Sequence, residues 1–595
     1  MKALLVHNYN LNSSLIEQFG GDKFSLDYYQ SIRNPNFSID RFFHEELEKI
    51  FKNKKYEVIF LPYTLSIQNY LELTGLRFAA HIRLSKEFNH HLTPIVFIGP
   101  ESPEQIAKLS NLGSILFTSG IFTTTKQDVN SINEQYKWII NNKPAINEIE
   151  YQHFLERIII TPPDNYQSHH SIDNELALVR WSEYLGCDNN ILEVKENLQT
   201  GLYFKYHKAL YPIKQSGKGK HFLINGQGKI LLIDDEAEKG WAKFYECFFS
   251  SNLNNKSISL ETLQIDYKIS SQEQIIDAAL EKFSQKENLP DVVLLDLRLC
   301  DADFKTNPQP KPEELTGYKI LQEIKKINRG IQVIITTASN KAWNYELLLN
   351  VGANGYIIKR ADNDVADDIK RLKNTIEQAL KKANFLKKVF SVIEEINKYI
   401  HDNNLIDESL KKELENNYTI AYDMLEKAFD NEKYYNYSYL QLFICIEEFL
   451  KIKDIFEYGD KCYLNKNIIV AEKLDKNKWK SIIKHNESTP SYWTLEENDE
   501  VINITTDFKM SCYIIFNLNQ QNSKFLNWPD IRDIRNNKAA HPEKGRVTKK
   551  DIEKILEFQK HIFNDQNMQQ PTKSGLSDEI TVEDINKLKQ KFGNK

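Results

Sequence analysis

The sequence predicts a multidomain α/β plus α protein: a doubly wound parallel sheet in the middle of the chain, a second α/β unit before it and a helical bundle after it. Three observations predict this. Between Lys229 and Lys359 lie four short apolar runs, Lys229–Ile233, Asp291–Leu295, Gln332–Thr336 and Gly355–Ile358, spaced by helix-length segments. Such runs read as buried strands of a parallel sheet. From Val365 the apolar spacing changes to alternating fours and threes and holds to Ile400, which is helical. At 595 residues the chain is too long for one core, and several domains are expected.

Composition narrows the class. Charged residues make up 27% and apolar residues 41%, as in ordinary globular proteins. A net charge of −6 gives no global support for nucleic-acid or membrane binding. The six cysteines show neither metal nor disulfide spacing, which suits a reducing compartment. The run Ala3–Val6 is too short for a signal peptide and no stretch approaches a membrane span, so a cytoplasmic protein without a membrane partner is expected.

In chain order, residues 1–150 read as an α/β domain with strands at Ala3–Val6, Tyr56–Leu61, Ile95–Ile98 and Ile115–Phe117, and helices at Phe42–Phe51 and Leu71–Phe88. Its strand ends carry His7-Asn8 and Pro62, and no lysine closes Phe117-Thr118-Ser119-Gly120. Residues 151–227 read as a connector. His169 and His170 suggest a metal, but neighbouring side chains diverge and no acid or histidine partner at i+4 stands on a clear helix, so a structural role is preferred. Ser216–Lys220 reads as a basic linker and Asn225-Gly226 as a tight turn.

Residues 228–384 hold the densest chemistry. In an open parallel sheet the C-terminal strand ends converge on one crevice, which gathers Asp234, Asp235, Asp296, Thr337 and Lys359. Crowded carboxylates call for a cation, and a hard, oxygen-seeking ion such as Mg²⁺ suits them. Lys359 and the Thr337 hydroxyl then suit an anion such as phosphate. This stretch resembles the receiver domain of two-component response regulators, a five-stranded fold. The resemblance implies that Asp296 is the phosphoacceptor, charged by a histidine kinase or phosphotransfer protein. It implies that Asp234 and Asp235 hold Mg²⁺ with Asp296 and the backbone carbonyl of Arg298. Thr337 and Lys359 would bind phosphoryl oxygens, and Tyr356 stands at the aromatic switch position. Two features depart from the family. Arg360 stands where a proline is usual, and the loop Leu299–Thr316 is long and Pro-rich, which predicts an extended, exposed segment. By the same comparison the N-terminal domain resembles a degenerate receiver, without the acids or the lysine.

The helix from Val365 to Ile400 would be about 54 Å long at 1.5 Å per residue. Its seam either packs within the chain or pairs two chains as a coiled coil, with Asn397 setting register. Residues 385–565 are mostly helical in pattern, with Tyr439–Lys451 apolar on most sides. Trp528 to Pro542 contains Arg535-Asn536 and, after Ala539-Ala540, His541. This resembles the HEPN family of helical bundles. The resemblance implies a homodimer in which Arg535, Asn536 and His541 cleave RNA without a metal, the imidazole moving protons and the guanidinium steadying charge at phosphorus. Residues 566–595 read as a flexible tail.

The function expected is receiver control, through Asp296, of a HEPN-like ribonuclease module in stress response or phage defence. The alternative is a noncatalytic adaptor whose receiver and bundle bind partner proteins. No basic recognition helix appears, so DNA binding is not expected.

Overall fold

The computed structural model describes residues 1–564 except 9–10, 29–30, 35–36, 67, 143–146, 164–168, 214–222, 286–287, 306–309, 339–341, 362–363, 405, 453–455, 459–460, 465–467, 476–477, 482, 486–492, 496–500, 503 and 518–527. The predicted linker at 216–220 and the tail lie outside the described residues. The chain divides into two compact units. One is Met1–Ala278, Leu294–Tyr318 and Ile334–Glu377; the other is Ala279–Val293, Lys319–Val333 and Gln378–Lys595.

The N-terminal elements are β1 (Ala3–His7), α1 (Ser13–Gln18), β2 (Asp22–Ser25), α2 (Ile39–Phe51), β3 (Val58–Pro62), α3 (Thr74–Leu84), β4 (Ile95–Ile98), α4 (Pro103–Ala107), β5 (Ile121–Thr124) and α5 (Val129–Asn142). Their five strands form a parallel sheet in the order β2-β1-β3-β4-β5. β3 and β4 are buried at every position, as central strands covered on both faces must be. Two expectations are corrected. The edge strand β2, mostly exposed, was not read from its polar sequence. The expected strand Ile115–Phe117 is a 3₁₀ turn, Asn111–Phe117, and the fifth strand follows it. Gly113 lies within this turn, where a Cβ would lie 2.4 Å from the Ala107 Cα, so the turn runs flush against the end of α4.

The connector supplies α6 (Glu148–Arg157), α7 (His169–Leu185), α8 (Leu192–Thr200) and α9 (Leu202–Leu210). Tyr151, Phe154, Leu155 and Leu202 join the core of the N-terminal sheet. A buried polar cluster fixes α9 there. The Lys205 ammonium donates to Ser85 Oγ at 2.8 Å and to Nδ1 of His44 and His81 at 2.9 and 3.2 Å. His81 Nε2 then meets Asp40, which also holds Arg77 in a two-pronged bond. Burial, then the Lys205 charge, pushes the His81 pKa down to about 4, so its ring is neutral and shaped for this tautomer.

The central elements are β6 (Gly228–Ile233), α10 (Ala242–Phe248), α11 (Ser250–Asn254), β7 (Ile258–Thr262), α12 (Gln272–Glu281), β8 (Val292–Leu295), α13 (Thr316–Ile327), β9 (Gln332–Thr337), α14 (Ala342–Asn350), β10 (Gly355–Ile358) and α15 (Val365–Asp402). The strand order, β10-β9-β8-β6-β7, repeats that of the first sheet. This is the doubly wound order whose ligand crevice lies where the winding reverses, between the first and third strands.

The remaining helices are α16 (Glu408–Ala428), α17 (Lys433–Ile452), α18 (Thr506–Asn517), α19 (Trp528–Ile534) and α20 (Lys549–Phe563). Asp407 caps α16, and Thr548 caps α20 in a reciprocal box with Asp551. Their core takes Leu386, Ile393 and Ile400 from α15, Tyr418 and Leu425 from α16, and Phe449 and Ile555 from α17 and α20. The seam of α15 is therefore spent inside the chain. Ile369, Leu372 and Ile376 are buried as well, so a two-chain coiled coil has no open stripe to use. A further correction concerns the stretch read as helical. Between α17 and α18 lies an antiparallel sheet of β11 (Phe456–Tyr458), β12 (Lys461–Leu464), β13 (Ile468–Asp475), β14 (Lys478–Ser481) and β17 (Val501–Ile502). Beside it stands the hairpin β15 (Ile483–His485) and β16 (Trp493–Leu495). Cys462, Ala471 and Trp479 face inward there.

Within this second unit, the turn between α13 and β9 is fastened to α15 and α16. A Cβ at Gly330 would lie 2.2 Å from the Lys387 nitrogen, and Asn328 donates to the Lys387 carbonyl at 3.2 Å. Arg329 reaches Asp423 at 2.8 Å and Glu426 at 3.1 Å, with its guanidinium over the Tyr422 ring.

Candidate functional site

The crevice of the central sheet holds the sequence-predicted cluster. β6 ends at Ile233 and delivers Asp234 and Asp235; β8 ends at Leu295 and delivers Asp296. The Asp296 amide donates to the Ile233 carbonyl at 2.9 Å, which locks the two strand ends in register. One carboxylate oxygen from each of Asp234, Asp235 and Asp296 lies within 4.8 Å of the others. β9 and β10 pair Thr337 with Ile358, and the Lys359 amide donates to the Thr337 carbonyl at 2.8 Å. The Lys359 ammonium is fully buried and meets Asp234 Oδ2 at 2.5 Å and Asp296 Oδ2 at 3.1 Å.

Electrostatics follow from three acids facing one cation. Burial, then the charges of Asp296 and Asp234, raises Asp235 to about 9. Burial also raises Asp296, but only to about 6, because Lys359 and the Arg298 amide oppose it. Burial works against the charge on Lys359, yet Asp234 and Asp296 hold its pKa well above the ordinary lysine value. Oδ1 of Asp296 accepts from the amides of Leu297 at 2.6 Å and Arg298 at 3.3 Å, and Oδ2 accepts from Lys359. A hard dication binds oxygens at about 2.1 Å, so two of its ligands stand at most about 4.2 Å apart. The three acids would draw closer to share one ion, and a cation would supply the charge they lack.

The other predicted residues fall around this point. Thr337 is buried at the end of β9. Tyr356 sits half-buried in β10, its hydroxyl pKa raised by burial and then by the Asp296 charge. Arg298 stacks over Phe304 at 5.8 Å while its amide turns to Asp296. The loop Leu299–Thr316, expected to be extended and exposed, is exposed at Asp301, Ala302, Lys305, Lys311, Glu313 and Glu314, has 306–309 outside the described residues, and is pinned at both ends by buried Asp303. That carboxylate accepts from the amides of Leu299 at 2.8 Å, Cys300 at 3.3 Å and Thr316 at 3.0 Å. Gly317 follows, and a Cβ there would lie 2.2 Å from the Asp296 carbonyl oxygen. Asp303, Gly317 and Trp241, whose ring faces Lys359 at 4.6 Å, were not singled out from sequence. The pair Thr316-Gly317 opening a helix was the available signal for Gly317.

The N-terminal sheet has the same crevice filled by other chemistry. Asn8 is buried, and its side-chain amide donates to the Leu65 carbonyl. The Tyr63 ring occupies the space beside β4, stacked on Phe97 at 5.5 Å, where a Cβ at Gly99 would lie 2.4 Å from the ring. Carboxylates do not gather there among the described residues.

Arg535, Asn536 and His541 lie at and after a π turn, Arg535–Ala539, that ends α19. Arg535 donates to Asn536 at 3.0 Å and lies over the Phe443 ring at 5.5 Å. His541 is half exposed and meets Glu543 at 3.2 Å. Among the described residues no bond joins Arg535 to His541. Histidine side chains 169 and 170 lie outside the described residues, and no helix is long and apolar enough to cross a membrane.

Residues 10–124 match the inactive receiver domain family. A response regulator receiver domain protein (CheY-like) from Methanospirillum hungatei JF-1 is similar at 17% identity, over 26% of this chain and 98% of that one, with a TM-score of 0.18. NtrX from Brucella abortus, solved in complex with ATP, is similar at 15% identity over 29% of this chain and 34% of that one, with a TM-score of 0.16. A putative two-component system response regulator/GGDEF domain protein is similar at 11% identity over 64% of this chain and all of that one, with a TM-score of 0.17. No curated protein matches the sequence. The chain thus carries two five-stranded parallel sheets of the same strand order, the first within the stretch that matches the inactive receiver domain family and the second bearing an acidic cluster and a buried lysine.

Proposed function

We propose that the central domain is a phosphorylatable receiver that controls the C-terminal module. The observation that carries this is the cluster of Asp234, Asp235 and Asp296 within 4.8 Å, with the Lys359 ammonium 3.1 Å from Asp296. A carboxylate oxygen of Asp296 attacks the phosphorus of a partner's phosphohistidine. The P–N bond breaks, an acyl phosphate forms, and the imidazole leaves with a proton. With a pKa of about 6, Asp296 is mostly ionised at neutral pH and available as nucleophile. Asp234, Asp235 and the Arg298 carbonyl are the residues to hold Mg²⁺, which would neutralise charge on the transferring group. Lys359 gives its charge to one phosphoryl oxygen and Thr337 its hydroxyl to another. The resulting repacking around Thr337 and Tyr356 is a population shift, passed along the continuous helix α15.

The output proposed is metal-independent RNA cleavage by a HEPN-like module, with His541 in proton transfer and Arg535 and Asn536 at the phosphate, completed by a second copy of the chain. A second reading, a noncatalytic adaptor, is favoured by one observation: Arg535 is spent on Phe443 and Asn536 while His541 pairs with Glu543. RNA cleavage by the full chain and by His541→Ala, with and without Mg²⁺ plus beryllofluoride, separates the two. Cleavage that His541→Ala abolishes and beryllofluoride changes supports the ribonuclease. Absence of cleavage, with beryllofluoride still changing assembly, replaces it by the adaptor.

A further inference from the structure

The connector is built into the acidic site. Lys359 meets carboxylates on one side and the Trp241 indole on another, 4.6 Å from its ammonium, and Trp241 is fully buried. Trp241 closes a five-residue π turn, Ala237–Trp241, in which Gly240 has φ 142°. A side chain at Gly240 would meet Leu178 Cδ2 at 2.7 Å and Ile191 Cγ2 at 3.0 Å, so this turn runs flush against the connector. From α7, Trp181 packs edge to face on Trp241 at 5.6 Å and at a tilt on Phe244 at 5.8 Å. Its indole N–H donates to the carbonyl of Arg360, the residue after Lys359, at 3.2 Å. Asn174 of the same helix donates to Glu236, the residue after the acid pair. The connector therefore touches two of the three chain segments that deliver charge to the site, those of Asp234-Asp235 and of Lys359.

We infer that Trp241 and Trp181 are positioning residues for Lys359, and that the connector helix α7 is a working part of the phosphoryl site. This inference rests on the receiver reading above. Its physical basis is that an indole face attracts an ammonium without offering it a counter-charge. Lys359 held by Trp241 can release Asp234 and turn to an oxyanion without losing its brace. The Arg360 carbonyl, gripped by Trp181, fixes the backbone from which Lys359 projects. The position normally given to proline in this family is here fastened by a hydrogen bond from outside the domain.

The test uses the full-length chain with Mg²⁺ and beryllofluoride. Fluorine-19 resonances of bound beryllofluoride give its affinity, and amide hydrogen exchange across Ile357–Arg360 reports the brace. Trp241→Phe keeps a ring face and is expected to bind within about 3-fold of wild type; Trp241→Leu loses the face and is expected to bind roughly 3- to 30-fold more weakly. Trp181→Phe keeps the packing but not the N–H, and is expected to speed exchange across Ile357–Arg360. A Trp241→Leu chain that melts like wild type and binds beryllofluoride equally well overturns the inference. If wild type shows no bound resonance, the phosphoryl reading fails. The exchange data then decide the connector's grip: faster exchange in Trp181→Phe supports it, and unchanged exchange overturns it.

Discussion

Asp235→Asn probes the electrostatics of the acidic cluster more sharply than any other change. Without a cation Asp235 takes up a proton at about 9, against 3.8 for a free carboxyl, so across that window the folded chain binds a proton that the unfolded chain lacks. Stability conferred by that proton is complete below about pH 4 and is lost as pH rises towards 9. At pH 7 the folded state bears the cost of about 3 pH units, or about 4 kcal/mol as a ceiling, shared with Asp296 because the two titrate together. An asparagine cannot ionise and removes this cost. In Mg²⁺-free buffer at pH 8, Asp235→Asn is expected to raise the melting temperature of the transition that includes the central sheet, by up to about 10 °C for a domain of this size. Added Mg²⁺ is expected to stabilise wild type more at pH 8 than at pH 5, and to stabilise the variant little at either. Thermal melts in EDTA and in Mg²⁺ at the two pH values measure both. An unchanged EDTA melt at pH 8, or a Mg²⁺ response that survives the substitution, refutes the assignment of Asp235 to a cation-starved cluster.

Two further substitutions test neighbouring parts of the account. Lys359→Met strips the only cation bonded to Asp234 and Asp296 among the described residues, and leaving buried charges uncompensated costs about 3–5 kcal/mol; denaturant titration in EDTA measures it, and Mg²⁺ is expected to recover part of the loss. Gly317→Ala drives a methyl to 2.2 Å from the Asp296 carbonyl oxygen, so about 1–3 kcal/mol of stability and a weakened response to beryllofluoride are expected, read by melts and fluorine-19 titration.

The site was legible because each of its residues stands at the end of a short apolar run, where strand geometry alone fixes its position. Asp234, Asp235, Asp296, Thr337 and Lys359 needed no knowledge of helix packing to be placed together. Trp241 was not legible, because its position depends on a π turn shaped by the connector, and contacts between distant segments leave no periodic trace. The same reason hid Asp303, which acts by holding amides of a long loop. In the N-terminal sheet the buried strands were evident but the edge strand β2 was not, since half-exposed edges lack an apolar run. The strands between α17 and α18 were missed for a related reason. They alternate weakly, as at Ile468–Asp475, beside a helix whose apolar signal is far stronger. Arg535 and His541 stand on neighbouring turns, and among the described residues no bond joins them within one chain.

The account stands or falls on Asp296 as a cation-dependent phosphoacceptor. The direct measurement is intact mass of the full chain after exposure to acetyl phosphate, with Mg²⁺ and with EDTA, for wild type and Asp296→Asn. The account predicts one added phosphoryl group on wild type in Mg²⁺, released by hydroxylamine as an acyl phosphate is, and none in EDTA or on the variant. A wild-type chain that stays unmodified in Mg²⁺, or a variant that gains the same mass, contradicts it.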